Sequence, residues 1–217
     1  MSYSQAGQDV FVLHTTKFKR NGTFVEIGTN HPITDNNSYI LETQYGWSGL
    51  LVEYNKSYEN LYKTHRANSK YIIADARTID YRQFLDSQQF PTNIDYLQID
   101  LDVNNRSTLD TLEIFNNTVF DKYKFACITF EHDIYTGDYF DTRNISREIF
   151  KQRGYVAIFT DVRIRIQTNS GEPFEDWYVH PDLVDMDFMN RIKTDVSLKW
   201  EDIVLILQNH FDAYGSA

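Results

Sequence analysis

Five short apolar runs separated by segments of helical spacing constrain this chain more than any other feature. Residues 23–27 (TFVEI), 49–53 (GLLVE), 71–74 (YIIA), 96–101 (YLQIDL) and 125–130 (FACITF) are rich in β-branched or aromatic residues and bounded by polar ones. Runs of this kind are strands buried on both faces. Between the second and third, Tyr58, Leu61, Tyr62 and His65 follow i, i+3, i+4, i+7 behind Ser57, which predicts a helix with a serine N-cap. Ser107 is expected to cap a second helix carrying Leu109 and Leu112. Ile145, Ile149 and Phe150 form a third stripe that stops at Gly154, a residue able to take the left-handed conformation at a helix end. Strand and helix alternating with crossovers of this length indicate a parallel sheet covered on both faces.

After Gly154 the pattern changes. Residues 155–159 (YVAIF) and 174–180 (FEDWYVH), with a polar stretch between them that ends at Pro173, read as two more strands at one edge of the sheet, their direction left open. Leu183, Met186 and Met189, then residues 198–207, read as closing helices whose Met and Leu side chains serve the core. With 4 Pro, 9 Gly, no repeat and no low-complexity tract, residues 1–217 are expected to form a single domain.

Charge narrows the partners. The 31 Asp and Glu against 21 Lys and Arg leave −10, so the chain lacks the basic face that phosphate neutralisation requires, which disfavours a nucleic-acid partner. Its longest aliphatic run, from Ile203 to Leu207, is far shorter than the roughly 20 residues of a membrane span. The opening Met-Ser-Tyr-Ser-Gln has neither a basic leader nor an apolar core, so a cytoplasmic location is expected. Asn-x-Ser/Thr triplets, the first at Asn21, are then loop composition, and the single Cys127 excludes an internal disulfide or a cysteine-based zinc site.

Ligands of open α/β sheets bind beyond the carboxyl ends of the strands, which directs attention to the acidic and glycine residues there. The first strand ends in Glu26-Ile-Gly28-Thr-Asn30: Gly28 permits close backbone approach to a ligand, and Glu26 and Asn30 offer polar groups. Neither G-x-G-x-x-G nor G-x-x-x-x-G-K-[ST] occurs, so pyrophosphate binding has no support. Glu53 ends the second strand, where a carboxylate can accept hydrogen bonds from both hydroxyls of a ribose. Asp75 and Asp100 end the third and fourth; each alone suits a helix cap, but four successive strand ends bearing a carboxylate or glycine suggest a site.

Taken in order, residues 4–9 (SQAGQD), 24–30 (FVEIGTN), 37–42 (NSYILE), 46–53 (GWSGLLVE) and 94–100 (IDYLQID) resemble the FkbM-type S-adenosylmethionine-dependent methyltransferases. The likeness spans roughly residues 3–135 and implies a class I methyltransferase fold: α/β, Rossmann-like, with a seven-stranded, mostly parallel sheet and helices on both faces. The strand pair after Gly154 would close one edge of that sheet. By the same likeness S-adenosyl-L-methionine is the cofactor. Glu26, Gly28 and Asn30 would line its methionine end with Asn37 and Ser38 nearby; Glu53 would hold the ribose, Asp75 would face the adenine amino group, and Asp100 would border the site. The chain departs from the family's usual Asp-Gly after the first-strand Asn, carrying His31-Pro32, and from its acidic-Glu-Gly after the fourth strand, carrying 101–105 (LDVNN).

The fifth strand delivers Glu131-His132-Asp133 to the same crevice. With Asp100, His132 and Glu131 form the candidate catalytic set. Three readings stay open for His132: a general base, whose ordinary pKa near 6.5 lies close to working pH; a ligand, with Asp100 and Asp102, of a divalent metal, which is not the favoured reading; or a hydrogen-bonded strand-end histidine. Residues 174–178 (FEDWY), followed by His180, are either packing on an edge strand or an aromatic floor for a sugar, packing being favoured. His14, His31, His65 and His210 lack neighbours that would make a site. The expected activity is methyl transfer to a hydroxyl of a small acceptor such as a sugar or glycan. Its rivals are a noncatalytic binding or scaffold protein on the same fold and a metal-dependent hydrolase using Asp100, Asp102, Glu131 and Asp133.

Overall fold

The computed structural model describes residues 2–164 and 172–214, so part of the polar stretch before Pro173 lies outside the described residues. All five expected parallel strands form: β1 (Thr23–Ile27), β2 (Ser48–Glu53), β3 (Lys70–Ile73), β4 (Asn93–Ile99) and β5 (Lys124–Glu131). With β6 (Val156–Ile164) and β7 (Glu172–Val179) they make one sheet of order β3-β2-β1-β4-β5-β7-β6. The direction left open by the sequence is now fixed, since β7 runs antiparallel to both β5 and β6. The aromatic strand lies inside the sheet and not at its edge, which corrects its expected place, while the burial of Trp177 and Tyr178 agrees with the favoured reading of these rings as packing.

Because successive side chains of a strand point to opposite faces, each strand feeds two cores. On one face Phe24, Leu51, Tyr96, Cys127 and Trp177 pack with residues of α1 (Gln8–Thr15), α2 (Tyr39–Tyr45), α3 (Glu59–His65), α7 (Met186–Ile192) and α8 (Trp200–Tyr214). On the other, Val25, Leu50, Leu97, Ile128 and Phe130 meet α4 (Tyr81–Ser87), α5 (Ser107–Thr118) and α6 (Phe140–Gln152). Phe115 is central there, its ring centroid 4.6 Å from Tyr81 and 6.1 Å from Phe125. Each such side chain withdrawn from water contributes about 1.5–3 kcal/mol. None of the helices among the described residues is long and apolar enough to cross a membrane.

The helix starts differ from the serine caps expected. Asn55, whose Oδ1 accepts from Ser57 N–H at 3.0 Å, begins a short 3-10 turn (Lys56–Tyr58) that leads into α3. Ser107 is the first residue of α5, and its hydroxyl donates back to the Asp102 carbonyl at 2.9 Å. In α6, Ile149 and Phe150 are buried, but Ile145 is exposed; Thr142 and Ser146 complete the buried stripe. Gly154 takes φ 83° past the helix end, as its place required. α7 starts at Met186, three residues after Leu183, with Asp185 as its side-chain cap.

The strand ends are stitched into one ledge. Gly28 and Thr29 N–H both donate to the Val52 carbonyl, Asp100 N–H to Ile27, and Ala74 N–H to Glu53. This holds the carboxyl ends of β1 to β4 at one level, where the acidic residues emerge.

Candidate active site

The loop after β1 is organised from below. Glu26 is 1% exposed, and its two oxygens accept from Asn37 N–H (2.9 Å) and the Ser38 hydroxyl. Burial raises the Glu26 pKa, and Arg66, Ser38 and Asn37 oppose that rise. Asn37 and Ser38 are buried as well, with Asn37 Nδ2 donating to Gln98 Oε1. Glu26, Asn37 and Ser38 thus form the buried support of residues 29–38 and not an open lining. Asn30 sits at the surface of this loop with φ 51°, a conformation asparagine tolerates. The His31-Pro32 departure acquires a mechanism: His31 Nδ1 faces Ile33 and Thr34 N–H at 3.2 Å each and so makes the turn.

Gly28 takes φ 82°, and a Cβ there would collide with the carbonyl oxygen of Asp100. The close approach that demands glycine is therefore between two strand ends of the protein, which corrects the expectation that a ligand demands it.

Glu53 lies partly exposed at the end of β2, accepting Asn30 N–H and Asn55 N–H at 2.7 Å each, so it ties the two flanking loops and fixes the orientation of its own carboxylate. Beside it opens a cavity of about 380 Å³ walled by Val52, Tyr54, Ala74, Ala76 and Leu101, with Asp75, Arg77 and Asp102 at its polar rim. Apolar walls with a polar rim suit a flat heterocycle. Asp75 is already committed: it caps the turn at Ala76–Thr78 and holds Arg77 in a two-point ion pair (3.0 and 2.7 Å), which takes its pKa down to about 2. A larger groove of about 640 Å³ between α1, α2 and α8 lies against helices rather than strand ends.

The ends of β4 and β5 supply the other half. Asp100 accepts from Gln98 Nε2 at 3.2 Å, and Gln98 belongs to the same strand face as Tyr96, whose hydroxyl meets Thr129 Oγ1 at 2.7 Å. Glu131, at the end of β5, lies within electrostatic reach of both Asp100 and Asp133. Burial raises the pKa of all three carboxyl groups, and neighbouring acids add to it: Asp133 for Asp100, Asp100 and Asp133 for Glu131, and Asp102 for Asp133; Glu131 lies well above its ordinary range. Glu175, its register partner on β7, is 2% exposed, accepts from Trp177 Nε1 at 2.6 Å and is likewise raised well above its ordinary range by burial. Tyr135 faces the same group; burial first, then Asp133, Glu131 and Asp100, push its phenol up to about 12.

His132 goes the other way. It follows Ile128 and Phe130 onto the face that packs α4, α5 and α6, where its Nε2 lies 3.5 Å from Asp176 and 3.6 Å from Asp161. The structure therefore separates His132 from Glu131 and Asp100, with which it was grouped. His132, Asp161 and Asp176 bring three ligand atoms within 4.8 Å of one another. Their charge is already met. Arg147 binds Asp176 at 2.7 and 2.8 Å and Asp161 at 3.0 Å, and Arg143 binds Asp161 at 3.1 Å. Two guanidinium ions therefore stand against the two carboxylates, the place a metal ion would need. Asp100, Asp102, Glu131 and Asp133 do not bring three ligand atoms this close together, so the geometry gives no support to the hydrolase reading.

Sequence reasoning missed Arg66 and Glu175. Strand alternation carried a signal for Glu175, an acid on the same side as Trp177 and Val179. For Arg66 no local signal existed, because its partners, Pro32, Asn36, Ser38 and Glu42, lie far before it in the chain.

No protein-family model and no curated protein matches the sequence. Solved structures do match its backbone. A TehB-like SAM-dependent methyltransferase from Corynebacterium glutamicum superposes with TM-score 0.50 at 10% identity, covering 80% of this chain and 87% of that one. Cofactor-bound Rv0187 from MTB gives 0.52 at 13%, covering 82% and 81%. The METTL16 methyltransferase domain gives 0.51 at 12%, covering 78% and 64%. The chain has the class I methyltransferase fold. Within this Rossmann-like α/β fold, the crevice described above lies at the carboxyl ends of the parallel strands, where open sheets of this kind take their ligands.

Proposed function

We propose that the chain is an S-adenosylmethionine-dependent methyltransferase of FkbM type, acting on a hydroxyl of a small acceptor such as a sugar or glycan. The observation that supports this best is the apolar cavity lined by residues flanking the ends of β2, β3 and β4, with Glu53, Asp100 and Glu131 at the carboxyl ends of β2, β4 and β5. When bound, S-adenosylmethionine supplies an electrophilic sulfonium methyl for in-line displacement. Glu53, its carboxylate already oriented by two backbone N–H groups, is placed to accept ribose hydroxyls. Val52, Ala74 and Leu101 wall the space for the adenine ring, and Asp75 acts mainly through its pairing with Arg77. Asp100 and Asp133, at the ends of β4 and β5, are the groups proposed to take the acceptor's proton.

Calorimetry with S-adenosylmethionine, followed by product analysis over a panel of sugars and an RNA control, tests the reading. Cofactor binding is expected, and Glu53→Ala should weaken it by about 2–3 kcal/mol, the scale of lost hydrogen bonds to a charged group. A folded protein that does not bind the cofactor overturns the proposal. Binding with methylation of RNA but no sugar would retain the cofactor and overturn the acceptor.

A further inference from the structure

Arg66, at the end of α3, is 1% exposed and joins every part of the loop that follows β1. Its Nε donates to Glu42 Oε2 on α2 at 2.8 Å, one terminal nitrogen to Asn36 Oδ1 at 2.9 Å and the Pro32 carbonyl at 3.3 Å, and the other to Ser38 Oγ at 2.6 Å. Each partner passes the constraint on. Asn36 Nδ2 holds the Thr29 carbonyl at 3.0 Å, and the Ser38 hydroxyl donates to Glu26. Arg66 therefore fixes both ends of residues 29–38 and reaches the Glu26 carboxylate through one hydroxyl. Asn37 Oδ1, buried and without a hydrogen-bond partner, adds an acceptor on the residue whose N–H binds Glu26.

The groups around Glu26 differ in sign. Asp100 at the end of β4 repels it, Tyr62 of α3 and Tyr96 of β4 are neutral phenols that feel its charge, and Glu42 is neutralised directly by Arg66. Arg66 is the cation that acts on Glu26.

We infer that Arg66 is a positioning residue for the cofactor: through Asn36 and Ser38 it sets the loop after β1, and through the Ser38 hydroxyl it holds the Glu26 carboxyl group beneath that loop for a cationic ligand end. This rests on the methyltransferase reading for the ligand, but the control of Glu26 can be measured without any ligand. Glu26 is buried, so without Arg66 its acid form is favoured, and attraction for the ammonium and sulfonium of the cofactor is lost at neutral pH. Removing a cation this close should raise the Glu26 midpoint by about one to three pH units.

The experiment compares wild type, Arg66→Lys, Arg66→Met and Glu26→Gln. Carboxyl-carbon NMR follows Glu26 in the free proteins, and calorimetry follows S-adenosylmethionine across neutral pH. Arg66→Met should raise the Glu26 midpoint and weaken cofactor binding about tenfold or more at neutral pH, with affinity returning as pH rises. Arg66→Lys, whose single ammonium cannot serve all four acceptors, should move both readings the same way by less, and it carries the test if Arg66→Met does not fold. Glu26→Gln should bind weakly without pH dependence, and Arg66→Lys should add little on that background. An unmoved Glu26 midpoint in folded arginine variants, or a loss of affinity independent of pH, overturns the inference. A wild type that binds no cofactor while the midpoint moves as expected defeats the methyltransferase reading and the ligand role, leaving the electrostatic control of Glu26 standing.

Discussion

Glu131 and His132 are consecutive residues at the end of one strand, and the clusters they join are opposites. On the Glu131 side, Asp100, Glu131, Asp133 and Glu175 gather with no arginine or lysine paired to them among the described residues, and their carboxyl groups are pushed toward the protonated form. On the His132 side, Asp161 and Asp176 meet Arg143 and Arg147 in matched number, and Asp176 is held below its ordinary range even though burial works against it. A balanced buried cluster can serve the fold alone. An unbalanced one works against folding, and such groups concentrate where chemistry is done.

The comparison breaks first at Asp100. Asp100→Asn should lower methyl transfer by about 10²–10⁴, the range for a lost proton acceptor, while the thermal midpoint stays level or rises because a repelling charge has gone. A large loss of stability with little loss of turnover would reverse the roles assigned to the two clusters. Arg147→Met strikes the balanced side. It leaves Asp176 buried without its main partner, and urea unfolding should show a loss of about 3–5 kcal/mol, with turnover per folded molecule kept.

His132→Ala should lower stability by about 1–3 kcal/mol and change turnover less than the 10²-fold expected of a general base. A turnover loss on the scale of Asp100→Asn would return His132 to the reaction. The smallest effect is in pH. Asp176, depressed in the folded state, contributes stability present above its unfolded pKa and lost as pH falls toward its folded one. Asp100 and Glu131, raised in the folded state, contribute stability that is complete below their unfolded values and lost as pH rises through their folded ones. Urea unfolding from acid to neutral pH should therefore show Asp100→Asn losing less stability than wild type as pH rises, by about 1 kcal/mol.

Much of this was legible in the sequence. Short apolar runs located β1 to β5, and acidic residues at their ends pointed to the crevice, because strand burial and strand termination are local properties. The split between Glu131 and His132 was legible too: side chains alternate along a strand, so two adjacent residues cannot share a face. Treating 131–133 as a cluster overlooked that period. What could not be read was long-range. The insertion of β7 between β5 and β6 depends on sheet pairing, and the role of Arg66 depends on α2, residues 32–38 and α3 meeting. The short helices α1, α2 and α4, of seven or eight residues, draw their stability from packing rather than from sequence signals.

Gly28 leaves the chain little room to vary. Its hydrogen atom faces the Asp100 carbonyl in a gap too narrow for a methyl group, so even alanine would pry β1 from β4 at the very residue proposed to receive the proton. A one-carbon insertion here would be felt twice, as misfolding and as displacement of a reacting group. Among descendants of this sequence, position 28 should therefore stay glycine even where the neighbouring loop drifts, whatever acceptor the crevice comes to serve.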